Sequence, residues 1–229
     1  MSTSPDFAYL REPITQGFRK RFSGGPMVDP QSHPGGRYYE RLISDTLLGV
    51  WAYKARVRPA HLEDFSLRSR GGKRLLIKEV NPLLARLLSG ADGPKILFLV
   101  RHPASVADSY LRLGWLKQSW SEFGRQYGND LAESIDSCES ALVLHYEEFA
   151  LDPEAKFADL FEQLSVRSPT DFDNVIQTHC YTEGAGNRPY ETARISHDQV
   201  RKWRQSLDRT QIEALREGYF ASNLPFYRA

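Results

Sequence analysis

Arg101 and Ser109 are the residues of this chain whose types and spacing could do chemistry together. The six residues from Lys95 to Val100 form an apolar run fit for a buried parallel strand. Arg101 stands at the carboxyl end of that strand. Pro103 follows where a helix could open, because the N–H that proline lacks would go unpaired in a first turn. From Ala104 onward, Val106, Tyr110 and Leu113 share one helical face. A cation at a strand end with a hydroxyl in the next helix suits a phosphate held in a strand–helix crevice. The same residues also read as an arginine capping a strand and a serine facing solvent, and the local pattern leaves both open.

Phosphate chemistry usually calls for a glycine-rich loop. Gly71-Gly72-Lys73 comes nearest to a Walker loop, but Leu67 stands where the first glycine belongs and Arg74 follows the lysine. It also precedes a strand, whereas the motif should follow one, so it reads as a turn. No GxGxxG fingerprint is present, which counts against a dinucleotide site.

The elements that must position Arg101 and Ser109 alternate between strand and helix. Strands are predicted at Phe7–Leu10, Arg74–Lys78, Lys95–Val100 and Ala141–His145. An amphipathic helix is predicted over Tyr38–Val57, a short helix over Leu83–Leu88, a weakly helical and rather polar stretch over Ser119–Ser137, and a helix from Asp152 through Leu164, with Asp152-Pro153 as cap and opening. Further helices are expected over Pro169–His179, from Ser196 through Trp203, and over Asp208–Tyr219. Residues 15–36, rich in Gly, Pro, Arg and Ser, read as a long basic irregular segment, either functional or a solvated loop. Such alternation implies an α/β fold with a mostly parallel sheet flanked by helices.

Composition narrows the classes. A chain of 229 residues can bury a full core and reads as one domain, residues 1–229. A hydrophobic fraction of 41% and a charged fraction of 26% are those of a globular protein. A formal net charge of +1 argues against a broad footprint for nucleic acid, so any anion site must be local. Cys138 and Cys180 make neither a disulfide framework nor a zinc constellation, and fit a reducing compartment. With no signal-type amino terminus and no apolar run long enough to span a bilayer, a cytoplasmic location without membrane association is expected.

Four segments in order resemble the PAPS-dependent sulfotransferases, which use 3′-phosphoadenosine 5′-phosphosulfate as co-substrate. Leu99-Val-Arg101-His-Pro103, with Ser109 eight positions after the arginine, resembles that family's 3′-phosphate-binding segment. Leu76-Ile-Lys78-Glu-Val-Asn-Pro82 resembles its "Lys-Asp-Pro" strand end. Val143 to Phe149 followed by Asp152-Pro153 is similar to its "Arg-Tyr-Glu-Asp-Leu…Asp-Pro" segment, and Trp203-Arg204 with Leu207 to its "Trp-Arg…Leu" helix. The resemblance implies a P-loop-NTPase-like sheet architecture and transfer of a sulfuryl group to a hydroxyl or amine of a small-molecule or carbohydrate acceptor. One departure stands out. The family opens with a strand and a loop that cradles the 5′-phosphosulfate, yet only eleven residues precede Glu12, and they contain no glycine. The first strand, loop and helix are therefore expected to be missing from this chain, and since that strand is normally central, exposed strand edges should result.

Residue roles follow from the resemblance. Arg101 and Ser109 would hold the 3′-phosphate, with Arg188 and Arg194 as further cofactor contacts. Glu12 would take the acceptor's proton and Lys78 would steady the sulfuryl group, although a surface ion pair for Glu12 and a solvent-facing Lys78 fit the local sequence too. No metal is implied. Tyr38, Tyr39, Trp51, Trp115 and Trp120 either line an acceptor pocket or belong to the core. Two rival readings are a non-catalytic PAPS-binding relative and a nucleotide or small-molecule kinase relative.

Overall fold

Parallel strand pairs organise the chain, one in each of two compact units: residues 1–94 with 166–169, and residues 95–165 with 170–229. The structure, a computed structural model, describes residues 6–19, 21–22, 28–47, 74–89, 93–182 and 195–227. Arg188, Arg194, Trp51 and the second half of the helix expected over Tyr38–Val57 lie outside the described residues.

In the first unit, β1 (Phe7–Arg11) pairs in parallel with β2 (Arg74–Lys78), from Phe7 opposite Arg74 to Arg11 opposite Lys78. A parallel pair needs a crossover, and α1 (Pro13–Arg19) and α2 (Gly36–Leu47) lie within it. Their shared face builds the core. Phe18 stacks on Tyr39 with ring centroids 3.7 Å apart, and Ile14, Leu42, Ile43 and Leu84 close around them. Each such side chain contributes about 1.5–3 kcal/mol by leaving water. Tyr38 packs its ring against Phe22, so both tyrosines of α2 serve this cluster. The strand is anchored at its start, where Arg167 donates its backbone N–H (2.7 Å) and its Nε (2.8 Å) to the Asp6 carboxylate.

The segment expected to be irregular from residue 15 instead continues α1 to Arg19. Its first amides are capped by Glu79, 65 residues away in sequence, so no local cap announced the helix. After β2, Asn81 caps a 3₁₀ turn (Pro82–Leu84) that runs into the short α3 (Ala85–Leu88).

In the second unit, β3 (Leu97–Val100) pairs in parallel with β4 (Leu142–His145). Between them run α4 (Pro103–Arg112) and α5 (Trp120–Asp136). Beyond β4 come α6 (Tyr146–Leu151), α7 (Pro153–Gln163) and α8 (Phe172–Ile176), with a π-helical turn over Gln177–Tyr181. The chain finishes with α9 (Ser196–Gln199), α10 (Trp203–Ser206) and α11 (Arg209–Phe220). Ser119 caps α5, Asp152 caps α7, and Asp208 with Gln211 forms a capping box on α11.

Helices α5 and α11 approach closely because two glycines allow it. A Cβ on Gly124 would lie 2.3 Å from the Leu215 carbonyl oxygen, and one on Gly218 would lie 1.8 Å from that of Ser121. Beside this contact Ala104, Ala107, Phe123, Trp203, Leu207 and Leu215 form the core, with Trp120 and Tyr110 packed against it. Trp115 meets the Tyr110 ring edge-on. Trp115 and Trp120 are thus packing residues.

Parallel pairing and strand–helix alternation are as expected, but the single sheet is not. The described residues form two two-stranded sheets, so each strand has one edge with no strand partner among them. The strand expected from Lys95 starts at Leu97, and it is not buried on both faces. Phe98 and Val100 point inward, whereas Leu99 is 59% exposed. The pleat sends alternate side chains to opposite faces, and only one face here is covered.

Candidate functional site

Two clusters of polar side chains form where the chain leaves the carboxyl ends of the strand pairs. In the first unit, the register of β1 and β2 brings both strands to an end at the same level, with Arg11 opposite Lys78. Glu12 follows immediately. Its N–H donates to the Lys78 carbonyl at 2.6 Å, and its backbone takes the left-handed conformation, φ 53°. That conformation costs a non-glycine residue on the order of 1 kcal/mol and persists only where neighbours hold it. From there the Glu12 carboxylate pairs with the Lys78 ammonium group. The structure therefore joins Glu12 and Lys78, the two residues assigned catalytic roles from the resemblance, and it also makes the ion pair that the sequence left open for Glu12.

Glu79 completes this cluster. Its two oxygens accept the N–H groups of Ile14 (2.7 Å) and Thr15 (3.3 Å) in the first turn of α1. Desolvation pushes its pKa up to about 7; the hydrogen bonds from Thr15 and Ile14 oppose this shift, while the nearby Glu12 charge adds to it. Tyr39 of α2 is pushed up to about 12, chiefly by burial and then by the Glu79 charge. Sequence reasoning passed over Glu79, although it sits beside Lys78 in the strand-end segment and that adjacency was the available signal.

In the second unit, Arg101 follows the last residue of β3. One guanidinium nitrogen donates weakly to the Gln199 carbonyl (3.5 Å), and the group lies 4.5 Å over the Tyr146 ring. Its Nε–H is buried without a hydrogen-bond partner. The Arg101 carbonyl accepts from the Tyr127 hydroxyl at 2.8 Å, which fixes the backbone at the strand end. His102 caps α4, its Nδ1 accepting the Ala104 N–H (3.2 Å) while its carbonyl accepts the Ser105 N–H (2.9 Å). With Pro103 lacking a donor, the first-turn amides are already satisfied, and an anion there would be held by side chains rather than by the helix end.

His102 is held in turn. Its N–H donates to Glu147 (2.9 Å), which also accepts from the Tyr227 hydroxyl, and its ring stacks on Trp203 at 4.7 Å. Burial lowers the His102 pKa, against the opposing pull of Glu147, which favours the neutral ring that the Nδ1 acceptor role requires.

Ser109 lies in α4, partly buried, with its carbonyl accepting from Leu113. One turn nearer to Arg101, on the same helical face, Ser105 is 2% exposed and its hydroxyl has no partner. Sequence reasoning missed Ser105; a second hydroxyl four residues before Ser109 was the signal. A cavity of about 180 Å³ lies along β4 and α7, lined by Leu144, Phe149 and Leu160 among others, and none of the expected site residues borders it. Among the described residues no group of His, Cys, Asp and Glu could hold a metal ion, and no helix is long and apolar enough to cross a membrane.

Compared with known proteins, the chain matches no family model, no curated protein and no solved structure.

Proposed function

We propose that the chain belongs with the PAPS-dependent sulfotransferases, and that Arg101 holds the 3′-phosphate of the nucleotide with help from hydroxyls of α4. The observation that carries this reading is the buried Nε–H of Arg101, unpaired at the carboxyl end of a parallel strand where a helix begins. A buried charged donor left unmade is costly, and a phosphate oxygen would satisfy it with a charge-assisted bond. Ser105, with its unpartnered hydroxyl, joins Ser109 as a candidate contact.

In the transfer step the acceptor oxygen or nitrogen forms a bond to sulfur while the bond from sulfur to the 5′-phosphate oxygen breaks. 3′-Phosphoadenosine 5′-phosphate leaves, and the acceptor's proton goes to Glu12. Protonation neutralises Glu12 and releases Lys78 from its ion pair, making that ammonium available to the sulfuryl oxygens as their charge spreads. Positioning and cationic stabilisation do the work, as in phosphoryl transfer.

The same ion pair favours a second reading, in which Lys78 stays neutralised and the chain binds the nucleotide without transferring sulfate. Calorimetric titration with 3′-phosphoadenosine 5′-phosphate tests the shared part of both readings. Binding should weaken by about 1.5–3 kcal/mol in Arg101→Ala and stay unchanged in Glu12→Gln. Turnover of PAPS with an acceptor then separates transfer from binding alone. Equal binding by the native chain and Arg101→Ala would remove the proposed site, and preference for ATP would point to a kinase relative.

A further inference from the structure

Glu79 is a partly buried carboxylate that the proposed transfer step does not use, yet every bond it makes bears on Glu12. We propose that Glu79 is a positioning residue: by taking the Ile14 and Thr15 amides on its two oxygens, it ties the first turn of α1 to the end of β2 and fixes the left-handed Glu12 backbone. The inference rests on the reading of Glu12 as the proton acceptor.

The geometry leaves few alternatives for holding that turn. Glu12 is clamped on its amino side by its own N–H bond to the Lys78 carbonyl, and its carbonyl accepts the Gln16 N–H of α1. Residues 13 to 15 complete the turn. Pro13 carries no N–H, so the Ile14 and Thr15 amides are its first free donors, and both go to Glu79. Glu79 follows Lys78 directly, so one short segment at the end of β2 supplies both the partner of the Glu12 carboxylate and the clamp on the turn that aims it.

The groups facing Glu79 are Glu12 after β1, the amides of α1, and Tyr39 from α2; Lys78, next to it in the chain, is engaged by Glu12. An ionised Glu79 is the stronger acceptor for the two amides. The hold on Glu12 should therefore tighten as pH rises through about 7, even though burying the ionised carboxylate costs the fold stability over the same range.

The test uses the full chain with Glu79→Ala and Glu79→Gln, and has two readouts. The first is the HN–Hα coupling and Cβ shift of Glu12 by NMR, which report its φ without any turnover. The second is the pH profile of sulfuryl transfer from PAPS. In Glu79→Ala the left-handed signature of Glu12 should be lost and kcat should fall about 10- to 100-fold, with nucleotide affinity unchanged. In Glu79→Gln, which keeps one acceptor oxygen, the signature should persist, kcat should stay within about 3-fold, and any rise in rate through pH 7 should flatten. Persistence of the signature in Glu79→Ala overturns the inference. If that variant does not fold, loss of the pH 7 limb in Glu79→Gln supports the inference and its retention overturns it. A native chain without transfer, whose Glu12 signature nevertheless collapses in Glu79→Ala, keeps the positioning role and removes the transfer reading instead.

Discussion

The two strand-end clusters face the same problem and solve it in opposite ways. Each has a basic residue where a parallel strand gives way to irregular chain. At the end of β2 the cation is spent internally, since Lys78 pairs with Glu12 and the adjacent Glu79 is tied to two amides. At the end of β3 the cation is held by weaker contacts, an aromatic face and a long bond to a carbonyl, and one buried donor stays unmade. The titrating groups differ likewise. Burial raises Glu79, which favours taking up a proton, and lowers His102, which favours shedding one. The first cluster spends its charges on its own geometry, whereas the second leaves a charged donor buried and unmade, the group that the proposed phosphate would satisfy.

The largest expected effect comes from removing the platform under His102. Trp203→Ala should destabilise the second unit by about 3–5 kcal/mol, measured by denaturant unfolding. It should also let the His102 pKa rise toward its ordinary value, read by NMR titration; an unmoved His102 would mean that Trp203 does not supply its desolvation. Next, Arg101→Ala should weaken nucleotide binding about 10- to 100-fold while Lys78→Met leaves it unchanged, and equal losses would erase the contrast between the clusters.

The pH dependence of stability should run in opposite directions at the two groups. The folded-state pKa of Glu79 is raised from 4.5 to about 7, so its contribution is fully present below 4.5 and is lost as pH rises through 7. The folded-state pKa of His102 is lowered from 6.5, so its contribution is present above 6.5 and is lost as pH falls through the folded value. Amide exchange resolved by residue, between pH 5 and 8, separates the two; parallel slopes in both units would refute the assignment. The smallest effect is on the ion pair itself. Lys78 is 43% exposed, so Lys78→Met should change stability by less than about 1 kcal/mol.

Much of the second unit was legible because its signals are local. The apolar run before Arg101 and Pro103 after it marked β3 and the start of α4; Asp152-Pro153 marked another helix through its own cap, and Ser119 and Asp208, which cap two more in the structure, stood at the predicted starts of theirs. In the first unit the strands were legible by alternation, but α1 was not, because its cap comes from Glu79 on the far side of the crossover. The split into two strand pairs was equally hidden. Alternation reports that strands exist, not which edges meet.

For the candidate site the division is similar. The sequence by itself determined which residues stand at strand ends, since a strand's apolar run and a proline are read from neighbours: Lys78 and Arg101, with Ser109 in the helix after it, were found that way, and Glu12 by resemblance. Only the tertiary structure decided how their charges are spent. It paired Lys78 with Glu12, set Glu79 under the turn that carries Glu12, and left Arg101 and Ser105 with buried polar atoms unpartnered. The physical reason is that the element a residue belongs to depends on its neighbours in sequence. Its hydrogen bonds and desolvation depend on groups brought close by folding, many of them dozens of residues away in the chain.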